Sequence, residues 1–268
     1  LDLPMNTSKP RIEDFNPIMQ TIERRLSWGS IFLSYDVRFH LIRSVFSYLP
    51  IFFMCTLVLP MGVINQLQKY LRNFLRKNGS SDVGMALVAW NKICKPKSHG
   101  GLGILDISIH NRALLMKHVH KFLNQEDIPW VKLIWEAYYS VDLPWDKKEG
   151  SFWWKDCMNF FDLFEERTSC EIKAGNSSML WDDNWNGEIM KLKYPELHSF
   201  TQKESISIKE AKELDNLYSL FQLPFSIQAH QQFHLLSREL NNIRNSDDKD
   251  TWTFNWGNNK NITKKIYG

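Results

Sequence analysis

Apolar residues recur every three or four positions through four stretches of the first half of the chain. These stretches are residues 11–26, 36–49, 63–74 and 108–123. The spacing places apolar side chains on one side of an α-helix and polar side chains on the other. Pro50 follows the second stretch, and a proline disfavours helical geometry in the residue before it. The pattern therefore predicts four amphipathic helices, the second of which ends at residue 49.

The segments between these helices contain turn-forming residues. Asn-Gly-Ser-Ser at 78–81 predicts a turn, and residues 86–93 predict an irregular or extended segment. Residues 95–103 contain a proline and three glycines, which predicts a loop with a tight turn. That loop has no Gly-Lys-Ser/Thr motif, so a nucleotide-binding cradle is not indicated.

The amino-acid composition changes near residue 126, and the second half of the chain is rich in Trp, Tyr and Phe. Helices are predicted at 129–139 and 151–164, and short strands at 170–173, 178–181 and 251–256. The polar run 241–250 predicts a second linker. The fold class predicted from these patterns is mainly α, with a helical bundle followed by a smaller, aromatic-rich α+β region that contains short strands.

The composition indicates a folded chain and shows an uneven distribution of charge. The 268 residues include 11 Trp and 17 Phe, more aromatic surface than a disordered sequence carries. Residues 1–130 hold 16 Lys+Arg and 9 Asp+Glu, whereas residues 131–268 hold 17 and 21. Within 69–121 there are ten basic residues against two acidic ones. Such an excess suits a polyanionic partner, and a solvated helix face without any partner is the alternative.

Residues 44–68 form an uncharged stretch of 25 residues, long enough to span a bilayer. Pro50 and Pro60 interrupt it, which favours two or three shorter buried helices over a membrane span. The four cysteines form no Cys-x-x-Cys pair and predict reduced, mostly buried thiols. The chain starts at Leu1 without a secretory or transit segment, so we expect a piece of a longer reading frame.

Three groups of residues resemble metal or catalytic sites. Asp182-Asp183 lies between tryptophans, but two-metal chemistry needs a further carboxylate from another element, and a structural turn is favoured. His230 and His234 have the spacing of a zinc-binding pair, but the general-base Glu of that motif is replaced by Gln231. His118 and His120 stand two apart on a helix and point in different directions. No catalytic and no metal-binding residue is therefore predicted.

A series of motifs in register carries a family resemblance. The first three are Ser44 to Cys55 followed by Leu59-Pro60, Asn73-Phe74-Leu75-Arg76, and Val88 to Lys97 followed by Gly100-Gly101-Leu102-Gly103-Ile104. Those further along are Asn111 to Lys117, Pro129-Trp130, Ser151 to Trp154, and Trp181 to Trp185. Together they resemble the segment that follows the polymerase palm in plant non-LTR (LINE-type) retrotransposon reverse transcriptases.

The resemblance implies a domain organisation. It implies a thumb-like helical region at 1–125, a Trp-rich connector at 126–245, and the truncated start of a zinc-binding-type C-terminal domain at 246–268. In this family the catalytic Tyr/Phe-Ala-Asp-Asp motif lies upstream of the segment that begins at Leu1, and the Cys/His zinc ligands come after Gly268. Mg²⁺ is therefore implied only for an intact polymerase, and no cofactor is expected for this chain.

The resemblance also implies a function and a partner. Such thumbs grip the template and primer backbone, so RNA or DNA is the expected partner, and no membrane is expected. The residues expected to contact phosphates are Lys69, Arg72, Arg76, Lys77, Lys92, Lys95 and Lys97. The expected location is intracellular, in the nucleus or cytoplasm. A protein-interaction module whose Trp-rich half packs against a partner, and a non-functional gene relic, are the alternatives.

Overall fold

The structure is a computed structural model that describes residues 9–29, 33–78, 82–83, 88–138, 150–185, 187–244 and 246–255. The described residues fall into two compact units. The helical unit comprises those up to Lys117 together with Phe152–Cys157, and the mixed unit comprises those from His118 to Ser151 together with those from Met158 onward. Residues 256–268, which contain most of the expected zinc-binding-type segment, lie outside the described residues.

The helical unit contains most of the later helix Phe152–Met158, together with five α-helices of the first half of the chain and the first part of a sixth. The helices of the first half are α1 (Asn16–Gly29), α2 (Tyr35–Ser44), α3 (Ile51–Met54), α4 (Met61–Arg76), α5 (Trp90–Cys94) and α6 (Ile107–Leu123), which continues into the mixed unit. Short 3₁₀ turns occupy Ile12–Phe15, Phe46–Tyr48 and Lys97–His99. Strands β1 (Lys77–Asn78) and β2 (Asp82–Val83) pair antiparallel around the predicted turn, of which residues 79–81 lie outside the described residues.

Helix α4 is the central element of the helical unit, because its apolar face is covered by α1 and α2. Its buried residues are Val63, Ile64, Leu67, Leu71, Phe74 and Leu75. Their spacing of three and four residues places them on one face of the helix. Phe46 packs edge-on against Phe74, with ring centroids 5.3 Å apart. The amphipathic helix predicted for 63–74 is confirmed and is longer by two residues at each end.

A buried side chain of α6, Asn111, forms hydrogen bonds with the backbone of the uncharged stretch at residues 44–68. The Asn111 side chain accepts a hydrogen bond from the Leu59 amide at 2.9 Å and donates to the carbonyls of Met54 and Leu57, each at 2.8 Å. These bonds satisfy backbone groups between α3 and α4 that water does not reach. The expectation of shorter helices in this stretch is confirmed. Among the described residues, no helix combines the length and the apolar character that a membrane crossing requires.

The mixed unit contains a small sheet and short helices around buried aromatic rings. Its helices are α7 (Pro129–Tyr138), α8 (Phe152–Met158, mostly in the helical unit), α9 (Phe161–Glu165), α10 (Met190–Lys193), α11 (Pro195–His198), α12 (Ile208–Glu213) and α13 (Ile227–Asn242). Its strands are β3 (Thr168–Glu171), β4 (Asn184–Trp185), β5 (Glu188–Ile189) and β6 (Thr251–Phe254). The strand order is β5-β4-β3-β6, with β3 and β4 parallel and the other pairs antiparallel.

The fold class predicted from the sequence is confirmed, while several element boundaries were wrong. The helix predicted for 36–49 ends at Ser44, whose hydroxyl donates to the His40 carbonyl at 2.7 Å. A side chain that bonds back to its own helix in this way competes with the helical backbone. The helix predicted for 151–164 is two helices, α8 and α9, separated by a turn at 159–160.

Two shorter predictions were also wrong. Residues 90–94 form helix α5 instead of an irregular segment, because Trp90 and Cys94 lie one turn apart and are both buried. Residues 178–181 form a single bridge, Met179 to Ser207, instead of a strand. The partner segment ends there because Ser207 is the N-cap of α12, with its hydroxyl accepting from the Glu210 amide.

Candidate nucleic-acid interface

Lys69, Arg72 and Arg76 form a stripe along the surface of α4, which we call the basic stripe. The three residues are spaced by three and four positions and therefore share one face of the helix, away from its buried face. Lys69 is exposed, and the two arginines are half-buried. Arg76 also lies in the last turn, where a cation is favoured by the helix dipole.

The two arginines of the basic stripe are fixed by backbone carbonyls. The Arg72 Nε atom donates to the Gln68 carbonyl at 3.3 Å, and an Arg76 terminal nitrogen donates to the Val88 carbonyl at 3.5 Å. A guanidinium has five N–H groups, so these bonds orient the side chain and use only part of its donor capacity. The remaining donors match the oxygens of a phosphate in geometry and charge.

Lys92, Lys95 and Lys97 lie on α5 and the turn that follows it, which we call the lysine loop (residues 92–103). All three lysines are exposed. The loop folds back on itself, because the Leu102 amide donates to the Ile93 carbonyl and the Gly103 amide to the Lys95 carbonyl, each at 2.9 Å. The predicted loop with a tight turn is confirmed, and it carries all three lysines.

One glycine is required for this closure. A Cβ atom at Gly101 would lie 1.9 Å from the Lys95 carbonyl oxygen, a distance at which atoms cannot coexist. Gly100 and Gly103 have φ of 75° and 70°, a region that glycine enters at little cost. The glycines that resembled a phosphate loop in the sequence thus shape the backbone under the lysines.

The basic stripe and the lysine loop lie beside each other in the helical unit. The Gln68 side chain donates to Asp106 at 3.5 Å, and Asp106 caps α6 by accepting from the Ser108 amide at 2.8 Å. Burial and the Asp106 charge raise the pKa of the Cys94 thiol to about 12, while the nearby Arg72 charge opposes this shift. The structure therefore brings six of the seven predicted residues to two adjoining elements. The backbone of Lys77 lies in β1, and its side chain lies outside the described residues.

Asp182 and Asp183 do not form a metal site. Asp183 is fully buried and accepts a hydrogen bond from the Met179 amide at 2.6 Å. Burial raises the pKa of its carboxyl group well above the usual range, and the neighbouring Glu165 carboxyl adds to this shift. Asp182 is exposed and pairs with Lys191 at 3.4 Å. A fully buried carboxyl group that bonds to a backbone amide and a surface ion pair do not fit a two-metal centre.

The two histidine pairs lie in different environments. His230 and His234 are exposed on α13, with ring centroids 4.5 Å apart. His118 packs edge-on against Trp130, and His120 stacks on Phe254 at 5.3 Å. Burial lowers the pKa of His120, so the aromatic core favours the neutral form of its ring. In the described part of the chain, no three His, Cys, Asp or Glu side chains gather as a metal site would require.

The sequence interpretation missed two polar features of the helical unit. Arg38 is buried, and its guanidinium donates to the Phe74 carbonyl at 3.3 Å, near the end of α4. Tyr70 donates to Glu23 at 3.1 Å and accepts from Gln66 at 2.9 Å, which ties α4 to α1. Arg38 precedes the buried Ile42 by one helical turn, and this spacing is the one sequence signal of its burial.

Comparison with known proteins identifies two plant relatives, and no family model matches the chain. An Arabidopsis thaliana protein named "Putative ribonuclease H protein" is 26% identical over 190 residues, which cover 68% of this chain and 31% of that protein. A second Arabidopsis thaliana protein, named "Uncharacterized mitochondrial protein", is 25% identical over 141 residues, which cover 51% of this chain and 92% of that protein. The chain is therefore similar to a segment of the first relative and to most of the second.

Proposed function

We propose that this chain is a segment of a non-LTR retrotransposon reverse transcriptase and that its helical unit binds the sugar–phosphate backbone of RNA or DNA. One observation carries the proposal: the exposed lysines of the lysine loop adjoin the basic stripe, in which Lys69 is exposed and the two arginines are half-buried. Cations grouped in this way neutralise several phosphates together and release the counterions that surround them. Contacts of this kind position a strand without reading its sequence.

The relatives support the same area of function. The similarity to 31% of a protein named "Putative ribonuclease H protein" supports a role that involves nucleic acid. The family's catalytic Tyr/Phe-Ala-Asp-Asp motif does not occur in these 268 residues, so the role proposed for them is binding.

The test is a salt titration of binding to a labelled primer–template and to a single strand of the same length. We expect the dissociation constant to rise with salt, with each neutralised phosphate contributing a slope of about 0.7 to 0.9 in the logarithmic plot. The triple substitution Lys69→Glu, Arg72→Glu and Arg76→Glu should weaken binding by at least ~100-fold at low salt. The triple substitution of Lys92, Lys95 and Lys97 to Glu should weaken it by a similar factor.

The matched control carries the same change of charge in the mixed unit. Lys209, Arg238 and Arg244 are exposed there, and their replacement by Glu should leave the dissociation constant within about threefold of the parent value. Circular dichroism and unfolding by urea verify that each variant is folded. Salt-independent binding by the parent, or equal weakening by the control and the stripe variants, would contradict the proposed site.

The alternative of a protein-interaction module stays a prediction. It rests on the tryptophans of the second half, and Trp181, Trp185 and Trp252 are each at most 2% exposed inside the mixed unit. Side chains buried in this way stabilise their own unit and offer little surface to a partner. We therefore place the proposed interface on the helical unit.

A further inference from the structure

A groove runs between α1 and α4 beside the basic stripe. It contains two cavities of about 410 and 330 Å³, and Glu23, Gln66 and Tyr70 line both of them. The smaller cavity is bounded further by Leu26 and Phe74 on its apolar side and by Lys69 and Asn73 on its polar side. Its volume lies at the lower end of the ~300–1,000 Å³ range of small-ligand pockets.

Tyr70 separates the two cavities and is held in place by hydrogen bonds at its hydroxyl. Gln66 donates to the Tyr70 hydroxyl at 2.9 Å, and the hydroxyl donates to the Glu23 carboxylate at 3.1 Å. The side chain is only half-buried, so part of it faces the groove. An aromatic ring fixed in this way offers a surface for stacking. Because folding already restricts the side chain, little further conformational entropy is lost when a ligand binds.

The groove carries a negative charge inside and a positive charge where it meets the basic stripe. Lys69 lines the smaller cavity and is also the first residue of the basic stripe, so it stands where the groove meets the cationic surface. Glu23 places a negative charge in the groove, and this charge disfavours a phosphate there. A strand that follows the basic stripe would therefore keep its phosphates at Lys69 and Arg72 and turn an uncharged base toward Tyr70.

We propose that the smaller cavity receives one unpaired nucleobase, which stacks on Tyr70 while the adjoining phosphate pairs with Lys69. This inference rests on the proposed function and specifies its ligand as a single-stranded segment of RNA or DNA. A paired base in a duplex is covered by its neighbours on both faces, whereas an unpaired base can be splayed out and stacked on a side chain. The Asn73 amide lines the same cavity and can bond to a base edge.

The experiment compares three labelled ligands of equal length: a single strand, the same strand with abasic sites, and a blunt duplex. The full chain should bind the single strand about tenfold more tightly than the abasic strand, since stacking on an aromatic side chain supplies such a gain per base. Tyr70→Leu should remove this preference and leave the affinity for the abasic strand unchanged. Tyr70→Phe keeps the ring and should retain most of the preference.

The control substitution is Tyr48→Leu, because Tyr48 is an exposed tyrosine of the same unit that does not line the groove. It should leave the preference intact. A second readout uses a single strand that carries 2-aminopurine, whose fluorescence should fall when the parent binds it and stay quenched with Tyr70→Phe. This readout tests stacking even if Tyr70→Leu does not fold.

The outcomes separate this inference from the proposed function. Salt-dependent binding with equal affinity for the normal and the abasic strand, or unquenched 2-aminopurine in the bound state, would refute the base site and leave the backbone interface standing. Absence of salt-dependent binding to all three ligands would refute both. Loss of the single-strand preference in Tyr48→Leu would place the stacking residue outside the groove.

Discussion

The two units of the molecule differ in which charged and polar side chains they expose and which they bury. The helical unit exposes most of its described lysines and arginines, with Arg38 as a buried exception, and it buries an uncharged amide, Asn111, in its core. The mixed unit buries two acids, Asp183 and Asp250. Exposed charges are available to a partner, whereas buried ones are committed to the fold. The acidic character of the second half therefore includes structural carboxyl groups that the surface does not present.

The two buried acids also differ from each other. Asp250 accepts hydrogen bonds from the amides of Lys173, Gly175 and Ser177 and from the hydroxyls of Ser177 and Ser178, at 2.8 to 3.2 Å. Asp183 accepts from a single amide and lies beside another carboxyl group. The Asp250 carboxyl group therefore holds several backbone amides together, whereas burial beside a second acid raises the pKa of Asp183. The comparison leads to three predictions about stability.

The largest effect is expected from Asp250→Ala in the mixed unit. The substitution removes five hydrogen bonds and leaves the amides of the 173–177 turn buried without their acceptor. We expect the free energy of unfolding to fall by roughly 4 kcal/mol, because bonds to a charged acceptor are worth more than neutral ones. Urea unfolding followed by tryptophan fluorescence measures the change.

The control for this prediction is Asp247→Ala. Asp247 is exposed three residues earlier, and its loss should change stability by less than about 0.5 kcal/mol. A similar loss in both variants would show that Asp250 contributes only its charge and that its hydrogen bonds add nothing.

A somewhat smaller effect is expected from Asn111→Ala in the helical unit. The substitution leaves the Leu59 amide and the carbonyls of Met54 and Leu57 without the Asn111 partner. We expect a loss of about 3 kcal/mol, since each unsatisfied buried group has its own desolvation cost. The neighbouring Arg112 is exposed, and Arg112→Ala should be nearly neutral in the same urea titration. A neutral Asn111→Ala would mean that water or another group replaces the amide.

The smallest effect is a dependence of stability on pH that arises from Asp183. Burial, together with the charges of Glu165 and Asp182, raises the pKa of the Asp183 carboxyl in the folded state. The folded state then binds its proton more tightly than the unfolded state does. The stability from this group is complete below the unfolded pKa and is lost as the pH rises through the folded pKa.

Asp183→Asn tests this dependence. The asparagine keeps an oxygen for the Met179 amide and cannot ionise. Its free energy of unfolding should therefore decline less than that of the parent between about pH 5 and about pH 8. The measurement is a series of urea titrations across that range. Parallel declines in the two proteins would assign the pH dependence to other groups.

The elements that the sequence predicted correctly are those with the longest regular pattern. Helix α4 follows an uninterrupted spacing of apolar residues, and α6 also lies where the sequence predicts a helix. The single helix predicted for 36–49 and the strand predicted for 178–181 were wrong. The Ser44 hydroxyl bonds back to its own helix there, and the Ser207 hydroxyl caps α12. Such individual side-chain bonds are not contained in the apolar period.

The sequence predicted one part of the candidate site, and long-range contacts determine the other part. The grouping of Lys69, Arg72 and Arg76 on one helix face follows directly from their spacing. The position of the lysine loop beside that face depends on the Gln68–Asp106 bond and on the burial of Cys94, which pair residues far apart in the chain. The assignment of phosphate contacts to these cations stays a prediction for the binding experiments.

The helical faces and the mainly α character follow from the amino-acid order, because they depend on neighbours within two helical turns, and the charge of each half follows from composition. The burial of particular polar groups and their bonding partners depend on how the chain packs. Asn111 bonds to residues 52 to 57 positions away, and Asp250 to residues 72 to 77 positions away. Aspartate and asparagine are usually exposed, so a local pattern does not indicate their burial. Their roles arise from packing, which alone brings such distant segments within hydrogen-bonding distance.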